Sequence, residues 1–99
     1  MEKNKNKRKQ IPLYTGLIKY FPLALCEVAK VSYVGNAQHN DPTKPIHWDR
    51  SKSADDLDAL VRHLFEADKV DSDNLYHLAK VAWRSLAALE KLLENERKN

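Results

Sequence analysis

Spacings of three and four separate most of the large apolar residues after position 56, which is the rhythm of a helix that buries one face. Leu57, Leu60, Val61, Leu64 and Phe65 form one stripe; Leu75, Leu78, Ala79, Ala82, Leu86, Leu89 and Leu93 form a second. The first predicts a helix over about 54–68. Ser53, followed three residues later by Asp56, resembles a capping arrangement, and Asp55, Asp56 and Asp58 complement the positive end of the helix dipole. The second stripe predicts a long helix over about 73–96, after the break "DKVDSDN", with Asp71 or Ser72 as its cap. Upstream, "PLALCEVAKVSYV" is apolar nearly all round, interrupted by Glu27 and Lys30. It predicts a helix from Pro22 to Tyr33 or Val34 that is buried on most sides. Gly35 and Asn36 both tolerate the left-handed backbone that ends helices. Nothing alternates with a strand's period of two. The pattern therefore predicts an all-α bundle of three or four helices, onto which the lead-in "IPLYTGLIKYFP" packs Leu13, Leu17, Ile18 and Phe21.

Between the first two helices lies "GNAQHNDPTKPIHWDR", too polar for a core and interrupted by Pro42 and Pro45. Connections in small domains are usually about four to six residues long, and much longer ones tend to carry function. The segment brings together His39, Asn40, His47, Trp48, Asp49 and Arg50. Carboxamides and imidazoles can read the donor and acceptor edges of a purine, and Trp48 can stack on its face. Trp48 can equally be a plug that anchors the loop on the helices.

Composition changes this picture in three places. The formal charge of +3 is concentrated at one end: "MEKNKNKRKQ" holds five basic residues and one acid, while the remainder has 12 Lys and Arg against 13 Asp and Glu. Residues 1–10 read as a disordered basic arm, either a solubilising tail or a tether for nucleic acid, and 11–99 as one helical domain. A chain of 99 residues has a modest core, which favours a homo-oligomer. Cys26 is alone and no run is long and apolar enough to span a membrane, so the expected location is a reducing cytoplasm, the host's if the chain is phage-encoded.

His77, Lys80 and Arg84 share one face of the last predicted helix, with Trp83 beside them. Two permanent cations and an imidazole in a row can hold phosphate oxygens, while the indole stacks on a base. A solvated basic face paired with Glu90 and Glu94 explains the same spacing. Arg62 lies four residues from both Asp58 and Glu66, as a surface ion pair would. His63 is a candidate base or a core-edge imidazole. Glu27, in a mostly apolar helix, needs a metal, a ligand or an arginine such as Arg62 or Arg84. The spacing of His39, His47, His63 and His77 matches no compact zinc motif, and no strained-turn nucleophile motif is present.

"YVGNAQHN" followed by "IHWDRSKSADDLDALVRHLFEADKVDSDNLYHLAKVAWRSLAALEKLLE" resembles the N-terminal domain of phage dATP/dGTP diphosphohydrolases, a family similar to the MazG-like nucleotide pyrophosphohydrolases. The resemblance implies an all-helical MazG-like module and a purine deoxynucleotide substrate. By it, Gly35, His39, Asn40, Trp48, Arg62, His63, Asp71 and His77 line or support the site. MazG-like enzymes hold Mg2+ on a Glu-Glu-x-x-Glu helix, and here the first helix offers Glu27 alone. Glu27, Glu66 and Asp71 are left as metal ligands, with Asp58 in reserve, and His63 and Glu66 as catalytic candidates. His39, Asn40, Trp48, Arg62, His77, Lys80 and Arg84 are the expected substrate-binding set. Two functions follow: Mg2+-dependent hydrolysis of dATP or dGTP, or capture of a purine nucleotide, such as a host signalling nucleotide, without turnover.

Overall fold

The computed structural model describes residues 4–98. Met1–Lys3, part of the basic arm, lie outside the described residues. The arm's remainder forms α1 (Lys5–Lys9), an exposed helix whose Asn4 cap accepts from the amides of Asn6 and Lys7. A π-turn at Tyr14–Ile18 leads to α2 (Pro22–His39). A 3-10 turn at Arg50–Lys52 precedes α3 (Asp56–Leu64), and α4 (His77–Lys98) closes the described chain. The fold is all-α, as the periodicity predicts, and among the described residues only an isolated bridge between Val70 and Tyr76 pairs extended backbone. No described helix is long and apolar enough to cross a membrane.

α4 is the central element, with α3 on one side and α2 on another. α2 does not stop at Gly35, which has no positive φ, but runs one further turn to His39. Asn36 and Asn40 cause the extension. The Asn40 amide donates to the Asn36 carbonyl, its Nδ2 donates to Asn36 Oδ1 at 2.9 Å, and the same Oδ1 accepts from the His47 amide at 3.0 Å. α3 ends early, at Leu64, and tight turns carry the chain through residues 65–70. Asn74 then adopts a left-handed φ of 68°, which asparagine tolerates better than most residues, and turns the chain so that the Asp71 amide meets the Leu75 carbonyl at 2.7 Å.

The predicted capping arrangement is not formed. Ser53 Oγ accepts from Trp48 Nε1 and Lys91 Nζ, and the Asp56 side chain takes Arg84 and Lys91, so neither caps α3. The predicted inward stripes are corrected too. On α3 it is Asp56 and Ala59 that are buried, while Leu57, Val61, Leu64 and Phe65 face outward, Phe65 at 84% exposure. On α4, Leu75 just before it, Ala79 and Ala87 are buried, whereas Leu78, Leu86, Leu89, Leu92 and Leu93 are exposed. Lys80, Arg84 and Lys91 turn toward Asp71, Asp73 and Asp56, and the leucine face lies on the opposite side of α4 from these ion pairs.

The lead-in does not pack as expected either, since Leu13, Leu17, Ile18 and Phe21 remain largely exposed. Its π-turn makes local backbone hydrogen bonds such as Lys19 to Tyr14, and among the described residues the helix pairings of substance run through α4. The chain consequently exposes 8079 Å². A compact chain of 11.4 kDa exposes about 5,800 Å². The radius of gyration, 15.3 Å, likewise exceeds the roughly 13 Å of a compact domain of this length.

Candidate functional site

The extension of α2 and the Asn36–Asn40–His47 clamp fold the connecting loop back over α4. Asn40 Nδ2 also donates to the His47 carbonyl at 2.9 Å, which fixes the loop's far strand beside the helix end. Trp48 is the plug at the loop's foot. Its indole donates to Ser53 Oγ at 3.0 Å, packs edge-on against Trp83 with ring centres 5.6 Å apart, and carries the Arg50 guanidinium 4.1 Å from its ring centre. Trp83 in turn donates to Ser32 Oγ at 2.8 Å, tying α4 to α2.

These ties leave a cavity of about 230 Å³ between α2, the loop and α4. Ser32, Gly35, Trp83 and Leu75 are in its wall, Lys80, Arg84 and His63 border it from the helices, and exposed Gln38, His39, His47 and Lys52 rim it. Among the described residues the Lys52 ammonium hydrogen-bonds a backbone carbonyl, that of His39 at 3.1 Å, and no carboxylate. Gly35 lies on the wall with nothing within 4 Å of where a Cβ would stand, so its role is not to avoid a clash.

The two α4 cations are already partnered. Lys80, only 14% exposed in its side chain, bridges Asp71 and Asp73 at 2.7 Å each. Burial by itself would lower its pKa, but the hydrogen bonds it donates to the two carboxylates, with their negative charge, outweigh that and raise it. Asp71 responds in the opposite sense: the Lys80 hydrogen bond first, and the Ser72 amide second, lower its pKa to about 2. Arg84 donates to Asp56 Oδ1 at 2.9 Å, and Lys91 meets the other oxygen at 2.7 Å while also donating to the Ser53 carbonyl. Asp56 is 6% exposed and is the hub of this group.

The Asp71 shift gives a sign that can be tested. Its native pKa lies below the ordinary 3.8, so its stabilisation is fully present above pH 3.8 and is lost as pH falls toward 2. Lys80→Ala is expected to move the Asp71 titration back toward the ordinary range. Carboxyl-carbon NMR of the two proteins measures this, and an unmoved midpoint would show that Lys80 does not hold Asp71.

Below the cavity, His63 Nδ1 and His77 Nδ1 face each other at 2.9 Å, and Asp71 Oδ2 stands 3.8 Å from His77 Nδ1. Burial, then the charges of Lys80 and His77, lower the His63 pKa below its ordinary 6.5 and favour the neutral ring. Residues separated by 14 positions thus meet across one N···N contact, in which the tautomer decides which ring donates.

The family described as dATP/dGTP diphosphohydrolase, N-terminal, matches residues 2–99. The chain belongs to this family. No curated protein and no solved structure matches it.

In this dATP/dGTP diphosphohydrolase-family domain, ten of the candidate site residues named from sequence meet around one cavity: Gly35, His39, Asn40, His47, Trp48, Asp49, His63, Lys80, Trp83 and Arg84. His77 is held behind His63. Arg62 lies elsewhere, exposed and paired with Asp55 at 2.9 Å rather than with Asp58 or Glu66. Asn40 and Trp48 spend their polar groups on the loop itself.

The resemblance implies Mg2+, and the carboxylates named for it do not fit such a centre within one chain. Mg2+ needs several oxygen ligands around one point. Glu27 pairs with Lys30 at 2.8 Å instead of with Arg62 or Arg84, Glu66 pairs with Lys69 at 3.1 Å, and Asp71 holds Lys80. Glu27 and Glu66 do not join Asp71 in a cluster; the described group of three metal-ligating side chains that converges is His63, Asp71 and His77. Asp58 is exposed. Lys52 and Lys91 were not candidates from spacing, because such lysines read as ordinary surface, and Asp56 read from sequence as a helix-start residue rather than as the holder of Arg84 and Lys91.

Proposed function

We propose that the chain binds a purine deoxynucleotide in the α2–α4 cavity, as a relative in activity of the dATP/dGTP diphosphohydrolases. One observation carries this reading: a member of that family gathers an indole, an exposed imidazole and amide rim, and the cations Lys52, Lys80 and Arg84 around one concavity. The Trp83 ring offers a face for a base, Gln38, His39 and His47 offer donors and acceptors, and the cations meet phosphate oxygens. Pockets that enclose a whole drug-sized ligand run from about 300 to 1,000 Å³. This one therefore takes part of a nucleotide, with the remainder at its mouth beside Lys52.

Lys52 carries no carboxylate among the described residues, so it is the cation with most to give. A charge-assisted hydrogen bond is worth about 1.5–3 kcal/mol. Lys52→Glu is expected to weaken dGTP and dATP binding at least roughly tenfold in titration calorimetry, with the fold unchanged by circular dichroism. Equal affinity in the variant, or no binding by the wild type at millimolar nucleotide, overturns the proposal.

Capture without turnover is the second reading, and the scatter of Glu27, Glu66 and Asp71 onto separate lysines favours it. Pyrophosphate release in Mg2+ supports hydrolysis. Binding that survives EDTA, with the nucleotide recovered intact, supports capture.

We also propose a homo-oligomer. The chain exposes about 2,300 Å² more than a compact monomer of its mass. A standard interface needs only about 800 Å² from each partner. The outward leucines of α4 and the Leu57, Val61, Leu64 and Phe65 line of α3 are the surface that a second copy would cover.

A further inference from the structure

We propose that His63, His77 and Asp71 form a binding site for a divalent first-row transition-metal ion of the zinc class, distinct in ligand chemistry from a magnesium centre. The geometry begins with the two imidazoles. Their Nδ1 atoms approach to 2.9 Å, with rings tilted by 38° and centres 5.1 Å apart. An ion about 2.05 Å from each nitrogen sets them about 2.9 Å apart at a right angle and about 3.3 Å apart at the tetrahedral angle. The observed separation lies at the near end of that range. Asp71 Oδ2 is 3.8 Å from His77 Nδ1, and one donor atom from each of the three residues falls within 4.8 Å of the others. A small inward rotation of the carboxylate closes the triangle.

The elements that hold these side chains are fixed independently of any ion. His63 is in the last turn of α3, His77 opens α4, and Asp71 is held by the turn that the left-handed Asn74 completes. All three side chains are partly buried, where a neutral imidazole sacrifices less hydration than a charged one. Lys80 is the competitor, since its ammonium lies 2.7 Å from the same Asp71 oxygen. Asp73, also at 2.7 Å, gives Lys80 a second anchor and leaves Asp71 able to turn to an ion.

Two nitrogens and one oxygen select the metal. Imidazole suits zinc, cobalt, nickel and iron, whereas Mg2+ takes oxygen ligands and sheds water reluctantly. Three protein ligands leave at least one position open. His63 borders the cavity, so that position faces the space where a ligand oxygen can enter. The binding site itself does not rest on the nucleotide reading, because its test uses only protein and metal.

The experiment titrates Co2+ into chelator-treated, tag-free protein and follows the visible d–d bands, then titrates diamagnetic Zn2+ and follows the imidazole proton resonances. The expected result is one ion per chain, displaced by Zn2+ and not by millimolar Mg2+, with shifts at His63 and His77 and none at His39 and His47. His77→Ala is expected to weaken binding at least a hundredfold, and His39→Ala to leave it unchanged. If the wild type binds no Co2+, the pair is a metal-free imidazole–imidazole hydrogen bond and the proposal falls. It falls equally if the shifts appear at His39 or His47 instead, a readout that holds even if His77→Ala fails to fold.

Discussion

Asp56→Ala is expected to lower the melting temperature by roughly 12–24 °C. Asp56 is buried at 6% exposure and receives Arg84 on one oxygen and Lys91 on the other. Removing one partner of a buried ion pair costs about 3–5 kcal/mol, because the charge left behind has lost its hydration as well as its counter-ion. Arg84 and Lys91 keep 26% and 28% of their side-chain surface, so they recover some water and the lower end, about 3 kcal/mol, applies. Domains of this size have about 5–15 kcal/mol in all. Arg62→Ala is the control. Its pair with Asp55 is exposed on both sides, and surface pairs contribute about 0–1 kcal/mol, so its melting temperature should barely move. Thermal scans at one fixed protein concentration compare the three proteins, and an Asp56→Ala curve that overlays the wild type would show the hub to be of no account.

The double substitution Leu86→Glu with Leu89→Glu is expected to convert an oligomer into a monomer of 11.4 kDa. Both leucines are about half exposed in the single chain, at 53% and 51%, and Leu93 continues their line at the next turn. An uncovered row of leucines at this spacing is the seam along which helices pair. Each leucine buried between copies contributes about 1.5–3 kcal/mol, and an unpaired carboxylate in the same place reverses the sign. The paired change should therefore raise the dissociation constant by at least three orders of magnitude, since about 4 kcal/mol corresponds to a factor of a thousand. Sedimentation equilibrium reads it directly. A wild type that is already monomeric at tens of micromolar would remove the proposal, and retained Asp71–Lys80 titration behaviour in the variant would show that the fold itself is intact.

The candidate site and the proposed oligomer surface are linked by one feature of α4. Its polar side faces inward, toward Asp56, Asp71, Asp73 and the cavity, and its leucine side faces out. A phosphate arriving at Lys80 or Arg84 meets cations that already hold carboxylates, so Lys52 and any bound metal ion matter more than a count of basic residues suggests. If the chain binds nucleotide as proposed, affinity should depend on what neutralises the aspartates as much as on the cations themselves.

The sequence by itself determined the all-α class, the start of α2 at Pro22 and the two later helices, and it singled out the segment around His39 to Trp48 that lines the cavity. These follow from local rules: apolar spacing, proline's fit to a first helical turn, and the polarity of a long connection. Only the tertiary structure decided which face of each helix turned inward. Leu57, Val61 and Leu64 carry the stronger apolar pattern, yet Asp56 on the same helix holds the partners, because α4 offers Arg84 and Lys91 across the gap. Helix ends moved for a similar reason, since Asn36 and Asn40 used their side chains on each other and on His47 rather than on a stop. The meeting of His63 with His77 was invisible for a different reason. Metal-like spacing along a chain exists only when one turn supplies all the ligands, and here a left-handed residue at Asn74 and the packing of α3 on α4 bring them together.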